Sequence, residues 1–237
     1  MLFVTDARRE PPGNVTDMTP RTEHLSADLH RYLVANGTPP DDLLRELAAE
    51  TQETFPECAG MQIAPEQGAF MTILARLLGA RFAVEVGTFT GYSALAVARG
   101  LVDGGWLLCC DVNEEYTAVA RKYWARAGVE DRVELVLAPA LQTLRRLPAE
   151  PTIDLSFIDA DKEGYVDYWE EIVPRTRPNG VILVDNTLSH GRVVNPTAHG
   201  NSAVQGILRF NERARTDDRV ELVMLPIGDG LTFARKR

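Results

Sequence analysis

The sequence predicts an α/β fold, a Rossmann-like doubly wound and mostly parallel sheet, and three observations predict it. From residue 82 onward, apolar runs of strand length alternate with helical segments, a pattern that implies crossover connections and parallel pairing. The runs are apolar almost throughout, as in strands covered on both faces. The last two runs, 219–227 and 230–237, are separated only by Gly228 and Asp229. So short a connection makes a hairpin and adds an antiparallel pairing to the sheet.

The elements follow in order. Residues 1–20 hold Pro11, Pro12, Gly13 and Pro20 without periodicity, which predicts a mobile N-terminal arm. A helix is predicted over 22–36, with Leu25, Leu29, Tyr32 and Leu33 as its apolar face, and a second over 41–54. Pro65 opens a third, with Phe70, Ile73, Leu74, Leu77 and Leu78 as its stripe. Strands are then predicted at 82–87, 106–111, 132–138, 153–160 and 180–185. Between and after them come helices at 92–101, 114–128, 141–147, 165–175 and 202–214. With no internal linker or repeat, residues 21–237 form a single domain: a helical extension over 21–80 and the Rossmann-like core over 81–237.

Composition bounds the function. At 237 residues and 45% hydrophobic content the chain suits one globular domain. Its net charge of −9 disfavours nucleic acid and anionic membranes as partners. Three irregularly placed cysteines suggest reduced thiols used as small apolar residues. Arg8, Arg9 and Glu10 interrupt any signal-peptide core, and no apolar run approaches the ~20 residues of a membrane helix. A cytoplasmic protein is expected.

Two strand ends carry chemistry. FIDADK (157–162) and VILVDN (181–186) each run from apolar residues into oxygen-bearing ones, and the carboxyl ends of such strands face the ligand crevice of an open α/β sheet. Two Asp and one Asn drawn from Asp159, Asp161, Asp185 and Asn186 form a hard oxygen set suited to Mg²⁺ or a similar ion. Lys162 nearby adds an amine, and metal plus amine suggests chemistry on a hydroxyl.

The first strand-to-helix turn, Glu85-Val86-Gly87-Thr88-Phe89-Thr90-Gly91-Tyr92-Ser93, lacks the G-x-G-x-x-G spacing of dinucleotide binding. Phe89 and Thr90 crowd a pyrophosphate, and Glu85 suits a cationic or hydroxyl-bearing ligand instead. Asp111 ends the second strand, placed to accept from ribose hydroxyls. Adenosine without pyrophosphate points to S-adenosylmethionine.

These residues together resemble the cation-dependent class I O-methyltransferases of the caffeoyl-CoA and catechol type. The likeness runs from about residue 60 to the C-terminus through VEVGTFTGYS, CCDVN, APAL, FIDADK, VDNTL and GDGL. It implies a seven-stranded sheet whose last strand is reversed, and a homodimer. It assigns Asp159, Asp185 and Asn186 to a divalent metal (Mg²⁺, or Mn²⁺ or Ca²⁺) and Lys162 to the general base. Ile63, Glu85, Gly87, Thr88, Ser93, Asp111, Ala140, Asp161 and Tyr168 fall to the cofactor, and Asp159 to the acceptor as well; outside the family pattern, His190 is either an acceptor contact or a plain loop histidine. The implied reaction is methylation of one hydroxyl of a small catechol-type phenol, in secondary metabolism. Where plant caffeoyl-CoA enzymes carry Trp-Asn-Gly after the VDNTL segment, this chain carries Ser189-His190-Gly191, so the acceptor is left open.

Two other classes compete. A nucleotide-dependent oxidoreductase is disfavoured by Phe89 in the glycine turn and by the missing Tyr-x-x-x-Lys pair. A catalytically silent binding protein is disfavoured by the intact Asp159, Lys162, Asp185 and Asn186 set.

Overall fold

Alternation along each central strand splits the protein into two cores. On β1 (Phe82–Val86), β2 (Trp106–Asp111), β4 (Ile153–Ile158) and β5 (Thr176–Val184), successive side chains point to opposite faces. Ala83, Leu107, Cys109, Leu155, Phe157, Val181 and Leu183 enter one core. Val84, Val86, Leu108, Cys110, Ile158, Ile182 and Val184 enter the other. Cys109 and Cys110 are therefore neighbours in sequence on opposite faces; both are buried free thiols, while Cys58 is half-buried.

The computed structural model describes residues 25–237; the predicted arm at 1–20 and the first turn of the helix predicted at 22–36 lie outside the described residues. Seven strands form one sheet in the order β3-β2-β1-β4-β5-β7-β6, with β3 at Val133–Leu137, β6 at Val220–Leu225 and β7 at Leu231–Lys236. Strands β1 to β5 pair in parallel, and β7 runs antiparallel to both β5 and β6. The predicted fold class holds, including the reversed last strand.

Helices α2 (Asp42–Thr54), α3 (Pro65–Leu77), α4 (Tyr92–Ala98) and α5 (Glu114–Arg126) cover the first face. Helices α6 (Ala140–Leu144), α7 (Tyr165–Arg175) and α8 (Ser202–Arg215) cover the second. Side-chain caps fix several starts: Asp41 accepts from the Leu44 amide, Asn113 from Tyr116 and Asn201 from Val204. Among the described residues no helix is long and apolar enough to cross a membrane.

The N-terminal helices correct two predicted faces. α1 (Ala27–Ala35) forms but buries nothing, and Leu25, Leu29, Tyr32 and Leu33 are all exposed. On α3 the buried face is Gln67, Gly68, Met71, Leu74 and Ala75, while Ile73 and Leu77 face outward. The cause is close helix packing. A Cβ on Gly68 would lie 2.8 Å from the Tyr92 ring, and one on Gly100 would lie 2.6 Å from Ala75. Small residues, not the largest apolar ones, mark the side of α3 that meets α4.

Candidate active site

A cleft of about 1070 Å³ opens over the carboxyl ends of β1, β2, β4 and β5. This is the sheet's switch point: the chain adds β2 and β3 on one side of β1, then returns to place β4 on the other.

The β1–α4 turn forms the floor of one end. Gly87 adopts φ +88°, and a Cβ there would fall 1.9 Å from the Asp159 carbonyl oxygen. Its missing side chain lets the turn touch the segment after β4. Phe89, also left-handed at φ 50°, packs edge-on against Tyr116, with Phe55 beside it.

Asp111 accepts four backbone amides: Thr88 and Phe89 on one oxygen, Val112 and Asn113 on the other, at 2.7–2.9 Å. Those bonds fill the roughly four lone-pair sites of a carboxylate. Asp111 lines the cleft, and in this state it ties the glycine turn to the end of β2. A ribose would have to share or displace those amides.

Glu85 is fully buried behind this floor. Burial pushes its carboxyl up to about 8, and the charges of Asp159 and Asp111 add to the rise; the nearby hydroxyls of Ser93 and Thr88 offset only part. Its Oε2 and the Thr88 Oγ1 are buried without hydrogen-bond partners. Buried polar atoms without partners call for a ligand that completes their hydrogen bonds. Ile63, Ser93 and Ala140 line the same end, as do Asp161 and Tyr168. The Tyr168 hydroxyl donates to Asp161, whose other oxygen accepts from the Gly164 amide at 3.1 Å.

The other end is made by β4 and β5. Their last residues, Ile158 and Val184, are paired, so Asp159 and Asp185 leave the sheet side by side. The Asp159 amide donates to Val86 at 2.8 Å and the Asp185 amide to Ile158 at 3.0 Å. Burial, and the neighbouring Asp159 charge, hold Asp185 well above the usual carboxylate range. Asn186 follows at φ 58° and also lines the cleft. Among the described residues no three His, Cys, Asp or Glu side chains cluster as a metal site; the set here is two carboxylates and an amide.

Lys162 Nζ donates to Asp159 Oδ1 and to the Tyr165 hydroxyl, both at 2.8 Å. Helix α8 backs this corner through Gly206, where a Cβ would lie 2.3 Å from the Lys162 carbonyl oxygen. His190 lines the cleft with its ring exposed, Nε2 standing 3.5 Å from Asp229 Oδ2. The structure thus brings every predicted residue to the cleft wall except Glu85, which lies just behind it.

Three contributors escaped the sequence. Gln67, buried on α3, donates to Asp185 Oδ2 at 2.7 Å. Tyr165 is buried beneath Lys162. Asp229 accepts from the His190 amide with its side chain and from Leu188 with its carbonyl. The available signals were Gln67 itself, a polar residue in helical register with Met71 and Leu74, and the GDGL segment that holds Asp229.

A doubly wound sheet with a reversed seventh strand, and a glycine turn without dinucleotide spacing at its switch point, fit a class I methyltransferase. The family model described as O-methyltransferase matches residues 36–237. The chain belongs to the O-methyltransferase family. It is 39% identical over 211 residues to the Mus musculus catechol O-methyltransferase domain-containing protein 1, covering 88% of this chain and 79% of that one. It is 33% identical over 228 residues to Zea mays caffeoyl-CoA O-methyltransferase 2, covering 89% and 83%. Among solved structures, the Bacillus cereus O-methyltransferase in complex with SAH superposes with a TM-score of 0.80 at 32% identity, covering 89% and 97%. The family expectation holds, and the oxidoreductase alternative falls.

Proposed function

We propose that the protein moves the methyl group of S-adenosylmethionine to one hydroxyl of a small vicinal dihydroxy aromatic, with a divalent cation held by Asp159, Asp185 and Asn186. The observation that carries this is the emergence of Asp159 and Asp185 from paired strand ends beside Lys162, facing the glycine turn across one cleft. Two carboxylates and an amide are hard oxygen donors and fit Mg²⁺, Mn²⁺ or Ca²⁺. The orphaned Glu85 and Thr88 oxygens fit a cofactor bearing an ammonium and hydroxyls. When bound, the cofactor supplies an electrophilic methyl, and the cation supplies counter-charge for the acceptor oxygen.

The chain's own residues do the rest. Asp159 and Tyr165 fix Lys162 Nζ at the wall, where it takes the acceptor's proton. Gln67 fixes one oxygen of Asp185 and leaves the carboxylate a single orientation. Holding two reactants in line supplies about 7–11 kcal/mol of barrier lowering in favourable cases. The exposed apolar residues of α1 and α3, Leu29, Tyr32, Leu33, Ile73 and Leu77, support a homodimer. A cytoplasmic setting and a role in secondary metabolism belong to the same proposal. Calorimetry with S-adenosylhomocysteine, followed by product analysis with S-adenosylmethionine and a catechol panel, tests it: binding plus a monomethylated catechol is expected. Binding without any methylated catechol would leave the silent-protein alternative.

A further inference from the structure

We propose that Arg192 forms an anion subsite at the acceptor end of the cleft, and that the acceptor is a catechol bearing a carboxylate. The inference rests on the methyl-transfer proposal and names its substrate class.

The cleft wall carries five aspartates: Asp111, Asp159, Asp161, Asp185 and Asp229. In a chain of net charge −9, such a wall repels anions unless a cation is set against it. Besides His190, two basic side chains line it, Lys162 and Arg192, and of these only the arginine is always charged. Lys162 is held by Asp159. Arg192 enters no ion pair among the described residues. Asp229, the acid beside this loop, faces His190 instead.

Arg192 is also aimed. Its Nε donates to the Ser189 carbonyl at 3.0 Å, which orients the guanidinium plane and leaves both terminal NH₂ groups for a ligand. The turn that presents it is strained: Ser189, His190 and Gly191 all have positive φ, at 49°, 52° and 74°. Non-glycine residues hold that conformation only when their surroundings over-determine it, and such sites concentrate at ligand clamps. Here the surroundings are Asp229, which takes the His190 amide, and the 228–230 backbone, which takes Thr187 and Leu188. An exposed guanidinium at the cleft rim, with a free planar fork, matches a carboxylate in two-point contact. Asn186 and Arg192 line the same cleft, which places a diol at the strand termini and a carboxylate on its ring substituent at Arg192.

The test is equilibrium binding to protein loaded with S-adenosylhomocysteine and Mg²⁺. The probes are 3,4-dihydroxybenzoate against its amide, and 3,4-dihydroxycinnamate against its amide, to allow for reach. In at least one pair the acid is expected to bind the wild type about ten-fold or more tighter. Arg192→Met brings that ratio to about one, and Arg192→Lys recovers part of it. Equal affinity for acid and amide in both wild-type pairs overturns the subsite, as does a preference that survives Arg192→Met. Methyl transfer to each probe is measured alongside. Selective binding of the acid with no methylation keeps the subsite and sinks the methyl-transfer proposal; methylation of acid and amide alike, without preference, does the reverse.

Discussion

The cofactor end of the cleft is tied together by backbone amides gathered on one carboxylate, whereas the acceptor end is tied by side chains as much as 118 positions apart. At the first, Asp111 gathers amides from the turn 22 and 23 residues before it and from its own next two residues. At the second, Gln67 of α3 reaches Asp185, and Asp229 of the β6–β7 connection reaches His190. Backbone satisfies the first end, while side chains from separate elements hold the second. The difference teaches where this protein is free to change. A turn saturated by its own backbone accepts few substitutions, but a wall built from three remote segments can alter its acceptor while the cofactor floor stays fixed.

The largest expected effect falls where the two ends meet. Lys162→Ala should lower turnover by a factor of about 10³ or more, while calorimetry finds the affinity for S-adenosylhomocysteine intact. Near-normal turnover would remove the base assignment and leave the acceptor end without its proton acceptor.

Next comes Glu85, at the cofactor end alone. Its folded-state pKa stands above the ordinary glutamate value, up to about 8. The sign follows from linkage: its contribution is fully present below the unfolded pKa and is lost as pH rises through about 8. Between pH 5 and pH 8 the ligand-free wild type should therefore lose stability relative to Glu85→Gln by a few kcal/mol, roughly. Denaturant melts at the two pH values measure this. The same variant should bind S-adenosylhomocysteine more weakly, because one of the two buried carboxyl oxygens becomes an NH₂ donor. A difference in stability that does not change with pH would mean that the carboxyl is not held protonated.

Gly87→Ala tests whether the two ends are mechanically joined. The new methyl group would meet the Asp159 carbonyl in a left-handed backbone, so a loss of about 2 kcal/mol or more is expected, near 4–8 °C in Tm. Both cofactor and acceptor affinity should fall, since the contact spans them. Unchanged melting would show that the turn and the β4 end move apart freely.

The smallest effect is confined to the acceptor end. Gln67→Leu removes the donor to Asp185 and should weaken Mn²⁺ binding by about 10- to 100-fold, with S-adenosylhomocysteine binding unaffected. Manganese titration followed by spin resonance reads this without turnover. An unchanged Mn²⁺ affinity would reduce Gln67 to a packing residue between α3 and the core.

The same contrast explains what the sequence disclosed. Strand runs, crossover helices and the hairpin were legible because periodicity is local, as were the glycine turn, Asp111 and the 159–162 and 185–186 strand ends. Gln67 was not, because α3 turns its smaller face inward: Gly68 and Ala75 meet α4, and Ile73 and Leu77 stay outside. Hydrophobicity alone predicts the opposite rotation. Tyr165 carries no sequence signal for its role, which is a contact between its hydroxyl and Lys162 in the fold. The positive φ values at Ser189 and His190 left no mark in composition, since neither residue type signals that turn.

The central claim is that the strand ends hold a divalent cation needed for methyl transfer to a catechol. The most direct measurement is the rate of methyl transfer from S-adenosylmethionine to a catechol on protein stripped with EDTA and then titrated with Mg²⁺. No detectable product is expected after stripping, and full recovery with saturating Mg²⁺. Methylation that proceeds unchanged in EDTA would contradict it.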